Sequence, residues 1–125
     1  MKYVVLIHAN PQPWNHPTGD TTAALQALEP AERERLDREF EELLGELSAS
    51  GELIGGTALG DPNRAKIYRW QDGAVATDGP YSEIKEHLAG FFDLDVASRE
   101  RAEEIAAQFA SPGDTIELRP QHGAE

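Results

Sequence analysis

The stretch from Asp78 to Val96, reading DGPYSEIKEHLAGFFDLDV, constrains the fold more than any other part of the chain. Its opening Asp78-Gly79-Pro80-Tyr81 has the composition of a sharp turn: Asp bonds its own backbone, Gly tolerates positive φ, and Pro starts a helix. A short helix is expected over 81–86. From Phe91 the pattern changes, because Phe92, Leu94 and Val96 alternate with Phe91, Asp93 and Asp95. That period-2 alternation is the mark of a strand with two different faces. One face meets a core and the other carries carboxylates.

The segments around this stretch supply its neighbours. Tyr3 to Ile7 is apolar at consecutive positions, so the strand expected over Lys2–Ile7 needs cover on both faces. The segment 10–19 holds three prolines, two asparagines and a glycine and reads as a loop or lid. Asp20 or Thr21 can cap a short turn through Leu28, and Pro30 suits the first position of a helix, where its missing N–H costs nothing. The main helix is expected over Pro30–Ala49, with Leu36, Phe40, Leu43, Leu44 and Leu47 in one stripe. Gly51 ends it. Glu52–Leu59 is a second strand, and Ala65–Gln71 and Ala74–Thr77 flank Asp72-Gly73, a strong hairpin signal. After the organising stretch, Ser98 caps a helix whose inner side is Ala102, Ile105, Ala106 and Phe109. Thr115–Arg119 alternates as a last strand, which Pro120 closes.

The order is strand, helix, strand, hairpin, strand, helix, strand. It predicts an α+β, ferredoxin-like antiparallel sheet with two helices on one face. Two helices leave the other face open although the first strand is apolar on both sides. A second copy related by a two-fold axis is the simplest cover, so a homodimer is expected. At 125 residues the chain reads as one domain over 1–120 with a tail over 121–125.

Charge and composition narrow the function. A net charge of −12 argues against a nucleic-acid surface, which needs clustered Lys and Arg. Residues 29–46 hold eight acids against three arginines, most simply the solvated face of the main helix. No apolar run approaches the ~20 residues that span a bilayer. The absence of cysteine removes disulfides and thiolate chemistry and fits a reducing compartment; a cytoplasmic protein is expected. Gly55-Gly56 lacks a dinucleotide or P-loop pattern, and four scattered histidines give no metal-ligand spacing, so the chemistry expected needs no cofactor and no metal.

Two residues stand out as acid/base candidates. Asp93 lies in mid-strand on the face opposite Phe92 and Leu94. Partial desolvation there raises a carboxyl pKa toward a useful range; the other reading is an open edge position or an ion pair across a dimer. His8 ends the first strand, and an imidazole with an ordinary pKa of about 6.5 is the natural proton shuttle; the other reading is a hydrogen-bonded rim residue. The Asp78-Gly79-Pro80-Tyr81 turn is either purely structural or an anion site, in which helix N–H groups and Lys85 receive a carboxylate or phosphate and Tyr81 lines the pocket. Trp14 and His16 would close over it as a lid; the other reading is that such loop aromatics are packing plugs. Arg119 is placed to pair with a glutamate.

Asp78-Gly79-Pro80-Tyr81, then Glu83-x-Lys85-Glu86, Gly90-Phe91-Phe92 and Asp95-Val96 resemble the YCII-related (DGPF) family, and the likeness extends from Met1 to Pro120. The resemblance implies a dimeric α/β barrel. In a better-studied branch it implies an acid/base dyad between an aspartate and a histidine early in the first helix; here Glu32 follows Pro30-Ala31, which leaves His8 or His16 as replacements. Relatives look apolar where Asp93 stands. The resemblance further implies two classes of function. One is a cofactor-free lyase or isomerase that acts on a small carboxylate or lactone, the dimeric barrel being similar to that of muconolactone isomerases. The other is a non-catalytic small-molecule-binding or regulatory protein linked to an alternative sigma factor.

Overall fold

The computed structural model describes residues 1–10, 23–78 and 86–123. Strand β1 spans Lys2–Ala9 and a single helical turn, α1, spans Ala23–Gln26. Helix α2, Pro30–Ser50, starts at Pro30 and stops where Gly51 takes φ 81°, a left-handed conformation that a side chain resists. Strand β2 is Leu53–Ala58, and β3, Ile67–Gln71, pairs with β4, Ala74–Asp78. Their turn places both Asp72 (φ 49°) and Gly73 (φ 80°) in the left-handed region, as a two-residue hairpin loop requires. Strand β5 is His87–Asp95, α3 is Arg99–Phe109, and β6 is Asp114–Pro120.

The main sheet has the order β2-β5-β1-β6, and every neighbouring pair is antiparallel. Its inner face is set by period 2 along β1: Tyr3, Val5, Ile7 and Ala9 are buried, with Leu94 and Phe92 beside them on β5 and Leu118 and Ile116 on β6. Leu43 and Leu47 of α2 and Ala102, Ile105 and Phe109 of α3 close the core from above. Phe40, Phe92 and Phe109 form its aromatic centre, with ring centroids 5.0 to 6.4 Å apart. This is the α+β, ferredoxin-like arrangement expected from the order of elements. The β3–β4 hairpin forms a separate sheet.

Local signals account for the ends of the helices. Ser98 Oγ accepts the Arg101 N–H at 3.1 Å and caps α3, as its residue type predicts. Two strands are longer than expected. β1 runs on to Ala9, which puts His8 inside the strand instead of at its end. β5 starts at His87, four residues before Phe91, because the register shifts between Ile7 and His8: Ile7 faces Gly90 while His8 faces Leu88. The bulge lets pairing continue past Gly90, with Ala89 buried as the extra residue. The helix expected over 81–86 falls on residues of which 81–85 lie outside those described.

Candidate functional site

With the helices on the inner face, the outer face of the sheet carries the alternate residues. Along β1 these are Lys2, Val4, Leu6 and His8, and Val4, Leu6 and Phe91 are partly buried there. His8 lies between Leu88 of β5 and Thr115 of β6. Glu117 faces Leu6, one step diagonally from His8, and its Oε1 is 3.0 Å from His8 Nε2. The other oxygen, Oε2, is 3.3 Å from Arg119 Nε. One carboxylate therefore serves both an imidazole and a guanidinium. His8 and Glu117 are 32% and 42% exposed, so the pair is open enough to meet a ligand and sheltered enough to hold its geometry.

The hydrogen bond defines what the imidazole can do. In the neutral ring, Nε2–H donates to Glu117 and Nδ1 keeps its lone pair, the arrangement of a base oriented by a carboxylate. A protonated ring gains an opposite charge beside it. Arg119 pairs with a glutamate as its place in the last strand suggests, and that glutamate is the partner of His8.

Asp93 lies on the same outer face, partly buried, opposite Val4 of β1 and Gly55 of β2. Val4 and His8 are four residues apart on β1, roughly 13 Å at the rise of an extended chain. Asp93 and His8 therefore share a face without sharing a hydrogen bond, and the carboxylate that touches His8 is Glu117. The remaining candidates cannot be compared in this way. Trp14, His16, Tyr81 and Lys85 lie outside the described residues, and Asp78 is described only as the backbone end of β4, paired with Ile67.

Among the described residues, no group of three or more His, Asp or Glu is placed to hold a metal ion, and no helix is long and apolar enough to cross a membrane. None of the curated proteins matches the chain. A family model does: the YCII-related domain matches residues 1–114, nearly the whole length over which this sheet and its helices are built, and the chain belongs to the YCII-related domain family.

Proposed function

We propose that this YCII-related protein is a cofactor-free proton-transfer enzyme, a lyase or isomerase acting on a small carboxylate or lactone in a cleft between two copies of the chain. The observation that carries the reading is the His8–Glu117 pair on the outer sheet face. Nδ1 of His8 takes a proton from carbon next to a carbonyl, Glu117 stabilises the imidazolium, and the proton returns to a neighbouring carbon or to a leaving group. Arg119 provides a cation beside the pair for an anionic substrate, against the overall negative field. Asp93 is the second carboxyl of the same cleft, with Trp14, His16, Asp78, Tyr81 and Lys85 as its ligand-binding residues. A second copy covers the apolar patch of Val4, Leu6 and Phe91 that the helices leave open.

The test is proton exchange. Incubated in D₂O with a panel of unsaturated lactones and unsaturated acids, the wild-type protein is expected to wash deuterium into at least one compound. His8→Ala should abolish the exchange and Glu117→Gln should slow it about 10- to 100-fold, the scale for losing a group that orients a reacting one. Exchange that survives His8→Ala, or none across the panel, sinks the reading. A second reading, a non-catalytic binding or regulatory module linked to an alternative sigma factor, has in its favour the exposed acidic side of α2, with Glu34, Glu39, Glu41, Glu42 and Glu46. A tight complex with a basic protein partner, and no exchange, would establish it.

A further inference from the structure

A second concavity lies on the opposite side of the sheet, among the helices. Leu36, Phe40 and Leu43 of α2 and Phe109 of α3 form its walls and enclose about 270 Å³. A smaller recess of about 30 Å³ shares Leu36, Phe40 and Phe109, has Ile7 at its floor, and ends on Asp114. We propose that this cleft binds a small hydrophobic amine: a phenyl ring or an apolar body of similar size that carries a primary ammonium group.

The size sets the first limit. A buried cavity of about 150 Å³ accommodates benzene, so the outer cleft takes an aromatic ring and a two-carbon arm. The recess, with room for about one water, takes the polar head. The walls suit an apolar body: two phenylalanines and two leucines, with Glu39, Gln108 and Ser111 as the polar groups of the lining.

Charge sets the second limit. Asp114 and Asp37 line the recess, Glu39 of the outer cleft accepts from Arg35 Nη1 at 2.8 Å, and among the described residues the lining itself contains no lysine or arginine. Asp114 is the strongest of these groups. Its oxygens accept from the Ser111 N–H at 2.9 Å and the Ser111 Oγ at 2.8 Å, two neutral donors that aim the carboxylate and leave its charge in place. Burial pushes its carboxyl above the usual range; the Ser111 bonds act the other way, and the nearby Glu86 charge pushes it up further. An ammonium seated in the recess relieves both burdens. An anionic guest meets the Asp114 and Asp37 carboxylates of the recess, and a neutral guest brings Asp114 no counter-charge. The net charge of −12 concentrates cations around the chain as a whole.

The site is separate from His8 and the outer sheet face, so its failure and the failure of the proton-transfer reading are read in different experiments. The test titrates 2-phenylethylamine, 2-phenylethanol and phenylacetate into ¹⁵N-labelled protein. The amine is expected to saturate, with shifts concentrated at the amides of Leu36, Phe40, Phe109, Ala110 and Ser111. The alcohol should bind at least tenfold more weakly, and phenylacetate should leave those amides unmoved. Asp114→Asn should cost the amine at least tenfold in affinity and the alcohol nothing. Because Asp114 also holds the 111–114 turn, Asp37→Asn on the helix is the second charge variant, expected to weaken the amine alone. Ala110→Leu should narrow the cleft and remove binding of both amine and alcohol. Equal affinity for amine and alcohol, non-saturating shifts spread over the acidic side of α2, or binding that survives Ala110→Leu would each overturn the proposal.

Discussion

Arg101 of α3 holds the Glu52 carboxylate in a two-pronged grip, Nε to Oε2 at 2.8 Å and Nη2 to Oε1 at 2.9 Å, joining the start of β2 to a helix 49 residues later. The planar match of guanidinium and carboxylate is the strong form of an ion pair. Arg101 is 37% exposed and Glu52 18%, so solvent screens part of its value.

Arg101→Met is therefore expected to lower stability by about 1 kcal/mol at neutral pH, the upper end for a partly exposed pair. The sign of the pH dependence follows from Glu52, whose carboxyl the Arg101 hydrogen bonds hold below the usual value. A depressed folded-state pKa gives stability that is present above the ordinary glutamate value of 4.5 and is lost as pH falls through the folded value. Urea denaturation of both proteins at pH 7 and at pH 3 checks this. The two curves should differ at pH 7, and the difference should be smaller at pH 3.

Asp114 runs the other way. Its folded-state pKa is raised, chiefly by burial, so its contribution is fully present below the ordinary aspartate value of 3.8 and is lost as pH rises through the folded value. Asp114→Asn should leave the protein at least as stable at pH 7, because the amide keeps an acceptor for the Ser111 N–H without the buried charge. Asp114→Ala loses both Ser111 bonds and should cost about 1 kcal/mol. Thermal midpoints between pH 4 and 7 separate the two effects. The asparagine variant should lack the gain that wild type shows on mild acidification.

Gly55 and Gly56 stand side by side in β2 and should respond oppositely to alanine. A Cβ at Gly56 would come within 2.6 Å of Phe92 Cδ1 and 2.8 Å of the Phe91 carbonyl oxygen. The ring can turn, but the carbonyl belongs to the neighbouring strand and cannot. Gly56→Ala should cost about 1–3 kcal/mol, the scale of overpacking. A Cβ at Gly55 meets nothing within 4 Å, and Gly55→Ala should stay within about 0.5 kcal/mol of wild type. Chemical denaturation of the two variants makes the comparison.

Phe109 sits where the two helices and the sheet meet, 3% exposed, with ring centroids 5.0 Å from Phe92 and 5.8 Å from Phe40. Phe109→Ala should cost about 3–5 kcal/mol, a large share of the total stability of a domain this size. Phe109→Leu keeps most of the volume and should cost less than half as much. Denaturation midpoints for the pair decide whether the aromatic centre is a true keystone of packing.

Much of the fold was legible because it is written in local chemistry. Pro30, Gly51 and Ser98 act within a turn of where they stand, and the Asp72-Gly73 loop needs only its two left-handed residues. The alternation of Phe92 and Leu94 with Phe91 and Asp93 gave the two faces of β5 correctly. The bulge at Ala89 was not legible, since an extra residue in one strand shows only against its partner; the start of β5 and the interior position of His8 were missed with it. The site was legible in half. His8 could be named from its residue type, but its partner Glu117 is 109 residues away and is specified by the β1–β6 register. The signal was available: Thr115, Glu117 and Arg119 alternate on one side of a strand that a ferredoxin-like order places next to β1. Asp114 gave no warning, because burial by a fold is not a property of a lone aspartate.

The hairpin has a practical corollary for anyone following this protein by light. The chain contains two tryptophans, and one of them, Trp70, stands on β3, 73% exposed and outside the main sheet. Its indole already has a watery environment in the native state, so its emission should change little in colour when the core melts. Among the described tyrosines and tryptophans, Tyr3, 4% exposed in the central strand, is the one that feels that event. In a Trp14→Phe variant, tryptophan fluorescence will report on the hairpin, and far-ultraviolet dichroism on the fold.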